Sequence, residues 1–206
     1  LGSYEYCTIN AYNIWALFGK NWTSQDGSFL FLKYHQWGTL TILAAVILSG
    51  VIFFKLKEDK SKYFLSMAVV VSTMFLFSVR MHERYLFPVL ILVFAGFLVK
   101  PTRELFFTYV GFSTVQMFNI GYVLCCYEDY NTTGPQGGMI GVTAICTIAV
   151  YAYLFFAIRS RTSLQDLREL SVKGEKNYIL HKEKTRGTLY VVYDAATLGD
   201  NARHTR

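Results

Sequence analysis

The sequence predicts an all-α integral membrane protein with about five transmembrane helices, an N-terminal interfacial helix and a small mixed cytosolic tail. Three observations carry that expectation. Of 206 residues 53% are hydrophobic, and the mean hydropathy is positive at +0.30. The apolar residues come in unbroken blocks, where a soluble domain would alternate them with polar ones. Lys and Arg gather in alternate short loops, which is how a multi-pass protein fixes its orientation.

Taken in order, residues 1–36 form an exoplasmic or interfacial segment, 37–158 a transmembrane helical domain and 159–206 a basic cytosolic tail. The opening Leu1-Gly2-Ser3 has no starting Met and no signal-peptide pattern, and reads as a cut from a longer chain. Residues 8–19 read as one short amphipathic helix, with Tyr12 and Trp15 placed for the head-group belt. On it Asn10 and Asn13 share a face. Their amides suit a substrate hydrogen bond, though a cap or helix–helix contact is the plainer reading. Residues 20–27 are a polar loop. Spans are expected at about 37–54, 63–79, 85–99, 105–127 and 139–158. Between them lie a four-lysine loop at 55–62, a basic loop at 100–104 and an acidic, turn-rich loop at 128–138. In the tail, residues 163–170 suit a short helix, and 177–180 and 188–193 short strands.

The basic loops at 55–62 and 100–103 and the Arg159/Arg161 flank are separated by two spans each, so all three are expected in the cytosol. That leaves the N-terminal segment, the acidic loop and the turn between the second and third spans outside. The net charge of +6 thus sets orientation and does not point to nucleic acid. Cys7, Cys125, Cys126 and Cys146 have no zinc or redox spacing, and the last three sit in apolar blocks as small hydrophobes. The sequons at Asn21 and Asn131 matter only in a eukaryotic secretory route.

The turn is the singular stretch. From residue 63 to 99 the chain is almost wholly apolar, and apart from tyrosines its only charged or ionisable interruption is Arg80, His82, Glu83 and Arg84. One helix of that length would rise about 55 Å, against a hydrocarbon core of about 30 Å, so it must turn at the charges. Ionisable groups near lipid are costly and mark function by default. In a helical turn Arg80, Glu83 and Arg84 would share a face, two guanidiniums forming a fork for a phosphate, with Glu83 holding it or acting as a base. His82 adds a donor or proton shuttle, and Tyr85 a hydroxyl. An Arg80–Glu83 pair that only stabilises the turn is the plainer reading. No residue is assigned as catalytic, Glu83 and His82 being the candidates; no metal site or cofactor is expected, a divalent cation being left open.

The stretch Met81-His82-Glu83-Arg84-Tyr85-Leu86-Phe87-Pro88, after a Phe-rich span, resembles the His-Glu-Arg/Lys motif of polytopic glycosyltransferases of the GT-C superfamily. The similarity is to bacterial proteins of the mannosyltransferase or family-39-like kind, with the lipid-linked-glucose-dependent glucosyltransferases of N-glycan assembly a more distant parallel. The segment Asn10-Ala11-Tyr12-Asn13-Ile14-Trp15-Ala16-Leu17-Phe18-Gly19 is similar to one that precedes the motif in the bacterial proteins. The resemblance covers residues 9–99. It implies an enzyme, a hexosyltransferase moving a sugar from a polyprenyl-phosphate carrier to a glycan, lipid or protein acceptor on the outer face of a bacterial plasma membrane. Arg80, His82, Glu83, Arg84 and Tyr85 would bind or orient the carrier phosphate. The family's presumed catalytic aspartate belongs to an early loop that this sequence lacks, and Asp26 does not take its place. The alternative is a non-enzymatic flippase or exporter of lipid-linked saccharides; its expected midplane charges are absent from the first, third and fifth expected spans.

Overall fold

The computed structural model describes residues 5–125 and 137–186; side chains at 164–169 and 176–186 fall outside that description. In chain order the elements are β1 (Thr8–Ile9), α1 (Ile14–Leu17), β2 (Ser28–Phe29), β3 (Leu32–Lys33), α2 (Tyr34–Lys55), α3 (Lys62–Phe77), β4 (Met81–His82), a 3-10 turn (Glu83–Leu86), α4 (Phe87–Val99), α5 (Arg103–Cys125) and α6 (Gly138–Arg186). The protein is mostly helical. The chain divides into two compact units, Leu1–Arg159 and Ser160–Arg206. In the second, residues 160–186 are helix throughout.

Two helices are long and apolar enough to cross a membrane: Tyr34–Lys55 and the Gly138–Ser163 part of α6. The expected count of about five is not supported. α3 and α4 have 16 and 13 residues, so they rise only about 24 and 20 Å, short of a hydrocarbon core of about 30 Å. α5 is 23 residues long, but Gln116 and Asn119 interrupt its apolar run and lower its hydropathy.

The expected helix over residues 8–19 is also corrected. Only Ile14–Leu17 is helical. Asn13 caps this turn with its side chain, a position that asparagine prefers over a helix interior. Asn10 takes a left-handed φ of 57°, and Thr8–Ile9 is extended. Tyr12 and Trp15 are buried within the protein. In the tail, residues 177–180 are helical where a strand was expected. Helix extension is favourable once a nucleus exists, and the Leu-, Glu-, Lys- and Arg-rich sequence from residue 159 sustains it. The expected strand at 188–193, Cys126 and most of the loop at 128–138 lie outside the described residues.

In the first unit α2 packs on α3, α3 on α4 and α4 on α5, as antiparallel helices joined by short loops do. Leu65 and Val69 of α3, Val89 and Val93 of α4, Leu105 and Phe112 of α5 and Leu154 of α6 share one core. Gly111 admits the α6 side chain Val150: a Cβ there would sit 2.9 Å from it. Large apolar residues face outward as well, among them Leu43, Ile47 and Phe54 of α2 and Ile91 of α4. A helix apolar all round is one built to be surrounded by apolar material. At one end the loops before α3 and before α5 meet. Lys100 Nζ lies 3.1 Å from Asp59 Oδ2, while Asp59 Oδ1 accepts from Ser61 N (3.0 Å) and Ser61 Oγ (2.7 Å). These are two of the loops that the sequence assigned to one face. The charged turn joins α3 and α4 at the other end. There Gly38 of α2 lets the chain pass close, since a Cβ would lie 2.8 Å from Val79 Cγ2.

Candidate functional site

Residues 5–33 form a small cap folded back onto the turn. The contact is a parallel pair: Thr8 opposite Met81 and Ile9 opposite His82. Two-residue strands do not hold themselves together, so other bonds fix them. Cys7 C=O accepts from Arg80 N (2.9 Å), Thr8 C=O from Trp22 N (2.9 Å), and Cys7 N donates to Thr23 C=O (2.7 Å).

The cap also completes the end of α3. The last carbonyls of a helix lack intrahelical donors. Here Asn13 Nδ2 donates to Phe75 C=O (3.1 Å), while Trp15 Nε1 donates to Phe77 C=O (3.1 Å). Asn13 Oδ1 meanwhile accepts from Trp15 N and Ala16 N. Asn10 Oδ1 accepts from Asn21 Nδ2 (3.2 Å) and Trp22 Nε1 (3.0 Å), and Asn21 Oδ1 accepts from Asn10 N (2.8 Å). Both asparagines that the sequence offered as substrate contacts therefore serve the fold. So does Asn21, whose amide is engaged on both sides and is poorly placed to carry a glycan.

From the other side, α5 clamps cap and turn together. Gln116 Nε2 donates to Glu83 C=O (2.8 Å). Three residues on, Asn119 Nδ2 donates to Asn10 C=O (2.7 Å) and Oδ1 accepts from Tyr12 N (3.1 Å). Sequence reasoning passed over Gln116, Asn119 and Gln25. The first two carried a signal: two amides one helical turn apart in an apolar run must find partners.

The turn is not helical from Arg80 to Arg84, and the shared face expected for Arg80, Glu83 and Arg84 does not form. Arg80 is left-handed, with φ 62°. This conformation costs about 1–3 kcal/mol in a non-glycine residue and persists only where the surroundings impose it. Here β-pairing follows it immediately, and the cap carbonyl of Cys7 holds its N–H. Its side chain is exposed, and Nε donates to Gln25 Oε1 at 2.7 Å, with Gln25 buried. Arg84 is exposed in the 3-10 turn. Among the described residues neither arginine forms an ion pair with a carboxylate, so the expected Arg80–Glu83 alternative is not formed either.

His82 is buried, its ring edge-on to half-exposed Tyr85 with centroids 5.3 Å apart. Its Nδ1 lies 3.8 Å from Glu83 Oε2, too long for a hydrogen bond. Burial pulls the imidazole pKa below its ordinary 6.5; Glu83 opposes this, Arg84 reinforces it, and burial dominates. Cys7 is buried, and its thiol is pushed up to about 12, which makes it unreactive. Among the described residues no group of three or more His, Cys, Asp or Glu could hold a metal ion.

An apolar cleft of about 480 Å³ opens between the cap and the ends of α2 and α3, lined by residues that include Trp15, Phe18, Phe29, Trp37, Thr73 and Phe77. None of the five expected phosphate-binding side chains lines it. Fold and site together define a mostly helical protein with two helices apolar enough to span a membrane and a cationic turn braced by a cap. No family model, curated protein or solved structure matches the chain.

Proposed function

We propose that this chain is the membrane portion of a GT-C-type glycosyltransferase, taking a sugar from a polyprenyl-phosphate carrier on the outer face, with Arg80 and Arg84 binding the carrier phosphate. The observation that carries the reading is the state of the two guanidiniums. Arg80 is held through Nε by a neutral amide, and among the described residues neither terminal nitrogen has a partner, so both are offered with the full charge to an incoming anion. Arg84 is exposed and engages no described carboxylate. A guanidinium with free N–H edges matches phosphate oxygens bidentately.

In this reading α2 and α6 cross the bilayer, and α3 and α4 are shorter helices meeting near the head-group level, where a lipid-linked phosphate lies. The apolar cleft, within the roughly 300–1,000 Å³ typical of small-molecule sites, supports a ligand with an apolar tail. As the glycosidic bond breaks, negative charge grows on the departing phosphate, and two cations, Arg80 held through Nε and exposed Arg84, stabilise it. Neutral His82 suits proton transfer, and Tyr85 offers a hydroxyl beside it.

The test is sugar transfer from a labelled polyprenyl-phosphate donor by membranes carrying the full-length protein. Arg80→Ala and Arg84→Ala should each lower the rate by about 10²–10³ with membrane insertion unchanged. Wild-type rates in both variants would end the proposal.

A further inference from the structure

Strands β2 and β3 form a hairpin, Ser28 opposite Lys33 and Phe29 opposite Leu32, with Leu30–Phe31 as its two-residue tip. Its base is fixed firmly. Phe29 lies among the rings of Trp15, Phe18 and Tyr34. Trp37 Nε1 donates to Phe29 C=O at 3.0 Å, and Tyr34 N donates to Gly27 C=O at 3.0 Å. The tip is the opposite: Leu30 is 75% and Phe31 78% exposed.

The tip residues are also the wrong ones for a tight turn in water. Leu30 sits at φ 59°, a conformation that Gly, Asn or Asp adopts more readily, and two-residue hairpins favour those residues. A strained backbone presenting two large apolar side chains, on a base packed with rings, points to a partner for that tip.

The adjoining helix identifies the partner. α2 begins directly after the hairpin, and it is one of the two helices apolar enough to span. The ring of Phe31 meets that of Trp37, with centroids 5.5 Å apart, and from Leu40 onward α2 turns Leu43, Val46 and Ile47 outward. The apolar surface therefore continues from the tip into the helix, with Lys33 and Trp37 where the two join. Lys and Trp are the residues that anchor a segment at a lipid–water boundary.

We propose that the Leu30–Phe31 tip is a membrane wedge, inserted among the acyl chains of the leaflet on the side of the charged turn, which pins the cap at a set depth over that turn. The wedge rests on α2 crossing the bilayer and is independent of the transfer reaction. The experiment places the photo-crosslinking residue p-benzoylphenylalanine in place of Phe31 in the full chain, reconstituted in vesicles of phosphatidylethanolamine and phosphatidylglycerol. Parallel samples carry it in place of exposed Asp26 in the polar loop and of outward-facing Ile47 in α2, and adducts are identified by mass spectrometry. Lipid adducts at position 31 should exceed those at position 26 by on the order of tenfold, because the tip would hold the probe among acyl chains and the polar loop would hold it in water. Lipid adducts at position 47 with none at 31, or with only protein adducts at 31, would overturn the wedge and leave the membrane reading standing. Lipid adducts at neither position would overturn both.

Discussion

Replacing Asn119 with leucine removes the side chain that fastens the cap to α5. Asn119 is 3% exposed, and its two bonds go to backbone groups of Asn10 and Tyr12, both buried. Leucine is close in volume, so the change deletes hydrogen bonds with little new cavity. Each is worth about 1 kcal/mol net, so the pair contributes about 2 kcal/mol to keeping the cap closed. That figure is about 30-fold in the opening equilibrium. Amide hydrogen exchange on the full chain in micelles reads it directly. The amides of Cys7, Trp22 and Arg80, bonded within the cap or between it and the turn, should exchange about 30-fold faster in Asn119→Leu. Amides in the middle of α3, around buried Val69, should be unaffected. A change of less than about threefold at the cap amides would refute the argument that α5 holds the cap through this side chain.

The same geometry fixes other outcomes. Burial holds His82 below its ordinary pKa of 6.5, so as pH falls through 6.5 the unfolded chain takes up the proton first. The stability this supplies is full above 6.5 and is lost on acidification below it; thermal unfolding from about pH 7.5 to 5.5 should show a larger drop in wild type than in His82→Gln. Gly111→Leu should destabilise by about 1–3 kcal/mol, because even its Cβ would overlap Val150. Adding Val150→Ala should restore part of the loss in the same melting experiment, and no restoration would mean that the two helices do not meet there.

The helices were readable because they are written as apolar blocks. The blocks between residues 37 and 127 lie where α2 to α5 lie, the charged interruption falls between α3 and α4, and Pro88 sits in the first turn of α4, where its missing N–H costs nothing. Lengths were less readable, since an apolar block does not say whether a helix of 13 or 16 residues crosses or stops short. The cap was not legible. Its strands are two residues long and carry no period, Asn10 and Arg80 are left-handed, and the bonds that fix it join residues 11 to 109 positions apart. Gln25 is the clearest case. In the sequence it is one polar residue in a polar loop, and only its position beside Arg80, 55 residues away, gives it a role. The charged turn was located correctly, but the helical spacing used to place its arginines on one face failed because β1 pairs with Met81–His82 and draws the backbone into an extended form.

The most direct test is binding of a polyprenyl monophosphate, compared with the same polyprenol lacking phosphate, to the full chain in nanodiscs. Charge-assisted bonds of about 1.5–3 kcal/mol each should make the phosphate bind at least about tenfold tighter, with the preference abolished in the Arg80→Gln/Arg84→Gln double variant and weakened in Gln25→Leu, which releases the Arg80 side chain. Equal binding of phosphate and alcohol, or a preference that survives loss of both arginines, would contradict the account.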